Sequence, residues 1–244
     1  MTGRRTLLVL GSKPDPVLPP RTAYDAVACA NGSGFSAARH RLPVPEFTVM
    51  SAILGGVESG RQTVAALSGL RTRRLYFFPR PEKPRRGLRK LVRTWKTRRM
   101  QPAYLRRMLR EVSYGYAEFV VRPHEHYDRM VRRQCAGHAA LLEKIAVKQP
   151  STGMMTLLIG AAEEGFTSFI LSGFSFELTH AYGANPEIAE RGTRESGHAD
   201  TDVMLVRHLA ATLREVSTTE PAVHERAGLP LVPGRSAADA EASE

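Results

Sequence analysis

The chain has 244 residues, 42% of them hydrophobic, and a formal net charge of +11. That is enough chain for one full core and too apolar for a disordered protein, so one domain is expected over residues 1–232, with the small, polar stretch 233–244 as a disordered tail. Two cysteines, Cys29 and Cys135, stand far apart without CxxC spacing, which argues against a zinc ribbon or a disulfide scaffold and fits a reducing compartment.

The charge is local. Residues 71–110 hold 16 Lys/Arg against one acid, Glu82, a surplus of +15, so the rest of the chain is slightly acidic at −4. A patch of this kind suits nucleic acid, anionic lipid headgroups or an anionic glycan, and charge alone does not choose among them.

In chain order, the first apolar run, residues 6–10, follows two arginines. At about five residues it is shorter than a signal-peptide core, and Pro14 and Pro16 follow at once, so it reads as a buried strand. Similar short apolar runs at 26–29, 47–50, 75–78, 118–121 and 168–171 end in Gly, Ser or Pro and lack in/out alternation. They predict buried parallel strands joined by crossover helices, an α/β, Rossmann-like single sheet with helices on both faces. The basic segment has helical pieces at 89–99 and 104–110, but Pro79, Pro81, Pro84 and Pro102 break it up, so an insertion or lid is expected at about 79–112. Ser151 or Thr152 caps a helix through Met154, Leu157, Leu158 and Ala161 that Gly165 stops. Another helix starts near Asp200, with Val203, Val206 and Leu209 at helical spacing. No stretch approaches the ~20 apolar residues of a membrane-spanning helix.

In such a sheet, ligands gather beyond the carboxyl ends of the strands. Gly11-Ser12-Lys13-Pro14, Ala30-Asn31-Gly32-Ser33-Gly34, Ser51 and the segment 173–182 all fall there. Ser151-Thr152-Gly153 adds a helix N-terminus that offers free N–H groups to an anion. Taken singly, each is ordinary turn or cap chemistry; their joint placement makes the site. Gly11-Ser12-Lys13 is neither GxGxxG nor a Walker A loop, which weighs against NAD and against ATP. His180 and Tyr182 share one side of an extended segment, and His198 stands just before a helix, an exposed place for a general base. Asp200-Thr201-Asp202 spells the DxD of metal-dependent sugar transferases, yet both acids open a helix, where capping accounts for them. No metal is expected.

These blocks (GSKPDP, CANGSG, PSTGMMTLLIGAAEEGFTSFILSGFSF, a following tyrosine and GHADTDVMLVRHLA) resemble the bacterial sialyltransferases of glycosyltransferase family 42, over roughly 5–55 and 148–232. The resemblance implies a GT-A-variant fold and a metal-independent, inverting transfer of sialic acid from CMP-sialic acid, or of a related CMP-activated acidic sugar such as Kdo, to a glycan or glycolipid acceptor. It casts His198 as general base and Tyr182 as hydrogen-bond donor to the leaving phosphate. Gly11, Ser12, Asn31 and Ser51 would line the nucleotide pocket, with Ser151, Thr152, Gly153 and Ser175 at the donor. Ser12, Ser175 and Glu177 stand where the family has Asn, Asp and a second phosphate-binding Tyr. His180 would replace that tyrosine, and Lys148 the family's arginine before the capping motif.

No cofactor is implied beyond the CMP-sugar donor. The expected setting is cytoplasmic, with the basic stretch peripheral on the inner face of an anionic membrane, as in lipopolysaccharide or capsule biosynthesis. Association into a homo-oligomer is left open. Two competing readings are a CMP-binding homologue without turnover and a nucleic-acid-binding protein; the few aromatics of the basic stretch do not form the stacking platform that the latter needs.

Overall fold

The structure is a computed structural model and describes residues 5–56, 58–80, 97–179, 181–182, 195–212 and 215–235. Seven strands form one all-parallel sheet: β1 (Thr6–Leu10), β2 (Ala26–Ala30), β3 (Phe47–Ser51), β4 (Arg71–Phe78), β5 (Gly115–Val121), β6 (Ser168–Ser172) and β7 (Glu215–Thr218). Their order is β5-β4-β3-β2-β1-β6-β7. The chain therefore winds outward in one direction from β1 to β5, then returns to the other side of β1 for β6 and β7. The reversal falls between β1 and β6, and that is where an open α/β sheet places its ligand crevice.

The lack of alternation in the sequence has a direct cause. Leu7, Val9, Phe47, Val49, Phe169 and Leu171 face one core, while Leu8, Leu10, Val27, Cys29 and Ile170 face another on the opposite side. The central positions of the inner strands are buried on both faces, so apolar residues follow one another there without alternation, with a few buried hydroxyls such as Thr48 and Ser168 among them. Helices α1 (Gly34–Arg39), α2 (Glu58–Ala65) and α3 (Pro102–Glu111) bury apolar residues on the second face, where Met50, Leu75 and Phe77 complete the packing. Helices α4 (His124–Gln134), α5 (Ala139–Val147), α6 (Thr152–Ala162), α7 (Ala199–Thr212) and α8 (Pro221–Ala227) cover the first. Among them α6 is buried on nearly all sides, from Met154 to Gly160, and lies against β1, β2 and β3. Its eleven residues carry no charge, as a helix enclosed by a sheet and other helices requires.

Cys29 and Cys135 are free and buried. Burial pushes their thiols up to about 12 and about 11, so both stay protonated. In the basic stretch, α3 lies in the crossover between β4 and β5 and sinks Leu105, Met108 and Leu109 into the core. Arg85, Arg86, Arg89, Lys90, Arg93 and Lys96, the centre of the expected insertion, lie outside the described residues. Among the described residues no helix is long and apolar enough to cross a membrane.

Candidate active site

The loops after β1 and β6 close on each other. Gly11 N–H donates to the Ser172 carbonyl at 2.8 Å and Lys13 N–H to the Gly173 carbonyl at 2.9 Å. A Cβ on Gly11 would lie 2.3 Å from the Gly173 oxygen, so only glycine lets the two strand ends approach this closely. The Phe174 ring fills the gap beside them and reaches Gly153, where a Cβ would stand 2.6 Å from Cε1. The β1 loop, the β6 loop and the first turn of α6 are thus packed around one aromatic ring.

A carboxylate that the sequence reading missed fastens this corner. Glu220, 1% exposed, follows β7. Its Oε1 accepts the N–H groups of Val17 and Gly173 at 2.9 and 2.8 Å, and its Oε2 accepts Lys13 Nζ at 2.5 Å. One side chain therefore ties the ends of β1, β6 and β7. Lys13, the charged residue of the first loop, is held towards β7 rather than left to a ligand.

On the other side of β1, Asn31 adopts a positive φ of 49°, which asparagine tolerates better than other non-glycine residues. Its Oδ1 accepts the Ser51 N–H at 2.9 Å, so the two expected pocket residues are joined directly. The Ser51 hydroxyl caps the short turn behind it. Ser12 bonds to Thr179 across 3.2 Å, bringing the β1 loop against the segment that leads to Tyr182. The Tyr182 hydroxyl donates to the Ser59 carbonyl at 3.2 Å and pairs with the Thr63 hydroxyl at 3.1 Å, both on α2. Burial raises the phenol above its usual value, opposed by the Thr63 bond. A phenol has one proton, so serving a phosphate means giving up Ser59. Among the described residues Ser175 accepts only from the Glu177 N–H, at 3.4 Å, and Glu177 is exposed. His180 lies outside the described residues.

The third group assembles at the N-terminus of α6. Ser151 caps it, its hydroxyl accepting the Met154 N–H at 3.3 Å. Among the described residues no hydrogen bond engages the Thr152 or Gly153 N–H, and these orphan donors, at the positive end of an eleven-residue helix, are available to an anion. The DxD acids part company here. Asp200 is exposed and pairs with Lys144 at 3.1 Å, whereas Asp202 is buried and accepts the Ser151 N–H at 2.9 Å. Two carboxylates aimed at different partners do not form a chelate, and no metal-holding cluster occurs among the described residues.

His198 precedes α7 and is partly buried. Its Nδ1 lies 2.7 Å from the Gln149 carbonyl. A carbonyl only accepts, so Nδ1 carries the proton and Nε2 keeps its lone pair. Burial lowers the imidazole below its ordinary value of 6.5; the Gln149 bond opposes this and the Lys148 charge adds to it. The neutral ring is a base waiting for a proton, with its acceptor nitrogen fixed by the hydrogen bond on the other side.

Asp202 yields a test of this corner. Burial raises its carboxyl from 3.8 to about 7, partly offset by the Ser151 bonds. Between about pH 4 and pH 7 the folded protein keeps a proton that the unfolded chain has lost, so this residue makes the fold less stable as pH rises through that window. Asp202→Asn keeps an oxygen for Ser151 and cannot ionise. Its melting temperature relative to wild type should climb across the window, as followed by thermal denaturation. The contribution of His198 is common to both proteins and cancels, so a constant difference would contradict a buried, charge-averse Asp202.

With this geometry in hand, the solved structures decide the architecture. The chain is similar to the sialyltransferase CstII from Campylobacter jejuni in complex with the substrate analogue CMP-3FNeuAc, over 95% of this chain and 87% of that one, at 12% identity and a TM-score of 0.55. CstII with a trisaccharide acceptor and CMP aligns over 94% and 87% at 11% identity, with a TM-score of 0.56. The monofunctional α-2,3-sialyltransferase Cst-I from the same organism aligns over 96% and 82% at 12% identity, with a TM-score of 0.52. The fold is shared with Campylobacter sialyltransferases. No protein-family model and no curated protein matches the sequence.

Proposed function

We propose that this chain is a glycosyltransferase that moves sialic acid, or a related acidic sugar such as Kdo, from a CMP-activated donor to a glycan hydroxyl, with inversion and without a metal. The observation that best supports it is His198, neutral and oriented by the Gln149 carbonyl, on a fold shared with CMP-bound sialyltransferases. Nε2 takes the proton of the acceptor hydroxyl as its oxygen attacks the anomeric carbon. The bond from that carbon to the phosphate oxygen breaks, and CMP leaves with the electron pair. The donor lies across the carboxyl ends of β1, β2 and β3, with Ser12, Asn31 and Ser51 beside the nucleotide. Its charge is met by the open Thr152 and Gly153 N–H groups, fixed donors that need no reorganisation when charge develops, and by Tyr182, whose hydroxyl turns from Ser59 to the phosphate.

A nucleotide thermal-shift series tests the donor class. CMP at about 100 times its Kd should stabilise the fold by about 2.7 kcal/mol, and EDTA should leave that shift unchanged. Stabilisation by UDP or GDP that depends on Mn²⁺ or Mg²⁺ would instead return Asp200 and Asp202 to a metal site. Tyr182→Phe keeps the ring and removes one hydroxyl. It should lower kcat by up to ~10²-fold through the lost bond to the leaving phosphate, while the melting temperature changes little. An unchanged kcat would confine Tyr182 to its contacts with α2.

A further inference from the structure

The loop between α5 and α6 meets two histidines through one residue. The Gln149 carbonyl accepts from His198 Nδ1, and the Gln149 side-chain Nε2 donates to Nε2 of His124, 2.6 Å away. His124 is the first residue of α4, an element that carries none of the expected site residues. We infer that the Gln149 side chain and His124 are positioning residues for His198, a tether that fixes the carbonyl which sets the tautomer of the base. The inference rests on the proposed role of His198.

The reason lies in the peptide that the carbonyl belongs to. It is the Gln149–Pro150 unit, and proline has no N–H. Most peptide planes in a loop can be held from both edges, by the oxygen and by the hydrogen. This one has only its oxygen, so its orientation must come from the residues on either side. On one side the Ser151 N–H is bound by Asp202 at 2.9 Å. On the other, the Gln149 amide is bound by His124. Pro150 is itself buried and biases Gln149 towards extended backbone. With both tethers in place the carbonyl presents one direction to His198. Without the His124 tether the plane is anchored at one end only, and His198 is free to move its proton to Nε2, where it no longer serves as a base. The arrangement also places a neutral acceptor at His124 Nε2, because the amide nitrogen has hydrogens to give and no lone pair to offer.

Gln149→Ala leaves the carbonyl in place and deletes the tether; His124→Ala deletes it from the other end. Nitrogen-15 NMR of labelled histidines reads the tautomer without any substrate. Wild type should show His198 with the proton on Nδ1 alone, and each variant a mixture of tautomers. Turnover should fall about tenfold to a hundredfold in either variant, with CMP affinity within about twofold of wild type. The double variant should lose no more than each single one, and adding either change to His198→Ala should cost nothing further. His124→Gln restores a neutral oxygen acceptor to the amide and should recover most of the loss, which a merely misfolded His124→Ala would not explain. A His198 that stays wholly Nδ1-protonated in both tether variants overturns the inference. Loss of turnover that also adds to His198→Ala overturns it too. If His198→Ala alone leaves turnover intact, the catalytic reading fails, and the NMR result still decides the tether.

Discussion

His198→Ala should cut turnover by about 10²–10⁴-fold and leave CMP affinity within about twofold of wild type. The size follows from what a positioned general base supplies, and the split follows from where the residue sits. His198 is held from the Gln149 carbonyl at the start of α7, and no hydrogen bond joins it to Ser12, Asn31 or Ser51. Its loss removes proton abstraction and leaves the nucleotide pocket whole. The pH profile should carry the same signature. Burial, aided by the Lys148 charge, holds the folded imidazole below 6.5, so the acid limb of kcat/KM should fall below that value in wild type and vanish in the variant. The residual rate should respond less to pH and more to the acidity of the acceptor hydroxyl.

Glu220→Ala should destabilise the protein by about 3–5 kcal/mol, or roughly 10 °C in melting temperature for a chain of this size. The carboxylate is the common partner of the Val17 and Gly173 N–H groups and of Lys13 Nζ. Its removal orphans two enclosed donors at the point where β1, β6 and β7 end. Lys13 is about one-third exposed, so water relieves its share of the loss. Glu220→Gln tests the partition, because its amide oxygen can replace Oε1 for both N–H groups while Lys13 turns to solvent. That variant should lose only ~1 kcal/mol. Equal losses in the two variants would mean that the charge, rather than the two amides, carries the effect.

The sheet was legible because its strands are buried on both faces. The run predicted at 6–10 is β1, and the others match their strands to within one residue except at the starts of β4 and β5. Those two begin earlier than predicted, at Arg71 and Gly115, because β4 opens on the polar run Arg71-Thr72-Arg73-Arg74 and β5 on Gly115-Tyr116-Ala117, a segment with no buried residue. β7 escaped notice for the same reason: Glu-Val-Ser-Thr offers one aliphatic residue, and a four-residue strand at the sheet edge needs no more. Missing β7 hid Glu220. Had the strand been recognised, an acid just beyond its carboxyl end and before a helix-starting proline would have been placed in the site region with the other loops.

The site residues show a similar division. The cap at Ser151 and the helix beginning near Asp200 follow from local rules, and both stand. The partners of those residues are long-range and left no trace in spacing. Asp202 reaches back to Ser151 across 51 positions, and Tyr182 to Thr63 across 119. Gly153, expected at the donor, is also required for packing against Phe174, a demand that only the fold reveals. The tautomer of His198 was beyond sequence altogether, because a backbone carbonyl sets it.

The most direct test of the account is release of free CMP from a CMP-activated acidic sugar by the purified protein in EDTA. CMP-sialic acid and CMP-Kdo should be tried with and without glycan acceptors, and His198→Ala should serve as the control. CMP release is expected from at least one donor, stimulated by an acceptor, retained in EDTA and reduced at least ~10²-fold by the substitution. Tight CMP binding with no release from either donor, or release that His198→Ala leaves untouched, would contradict it.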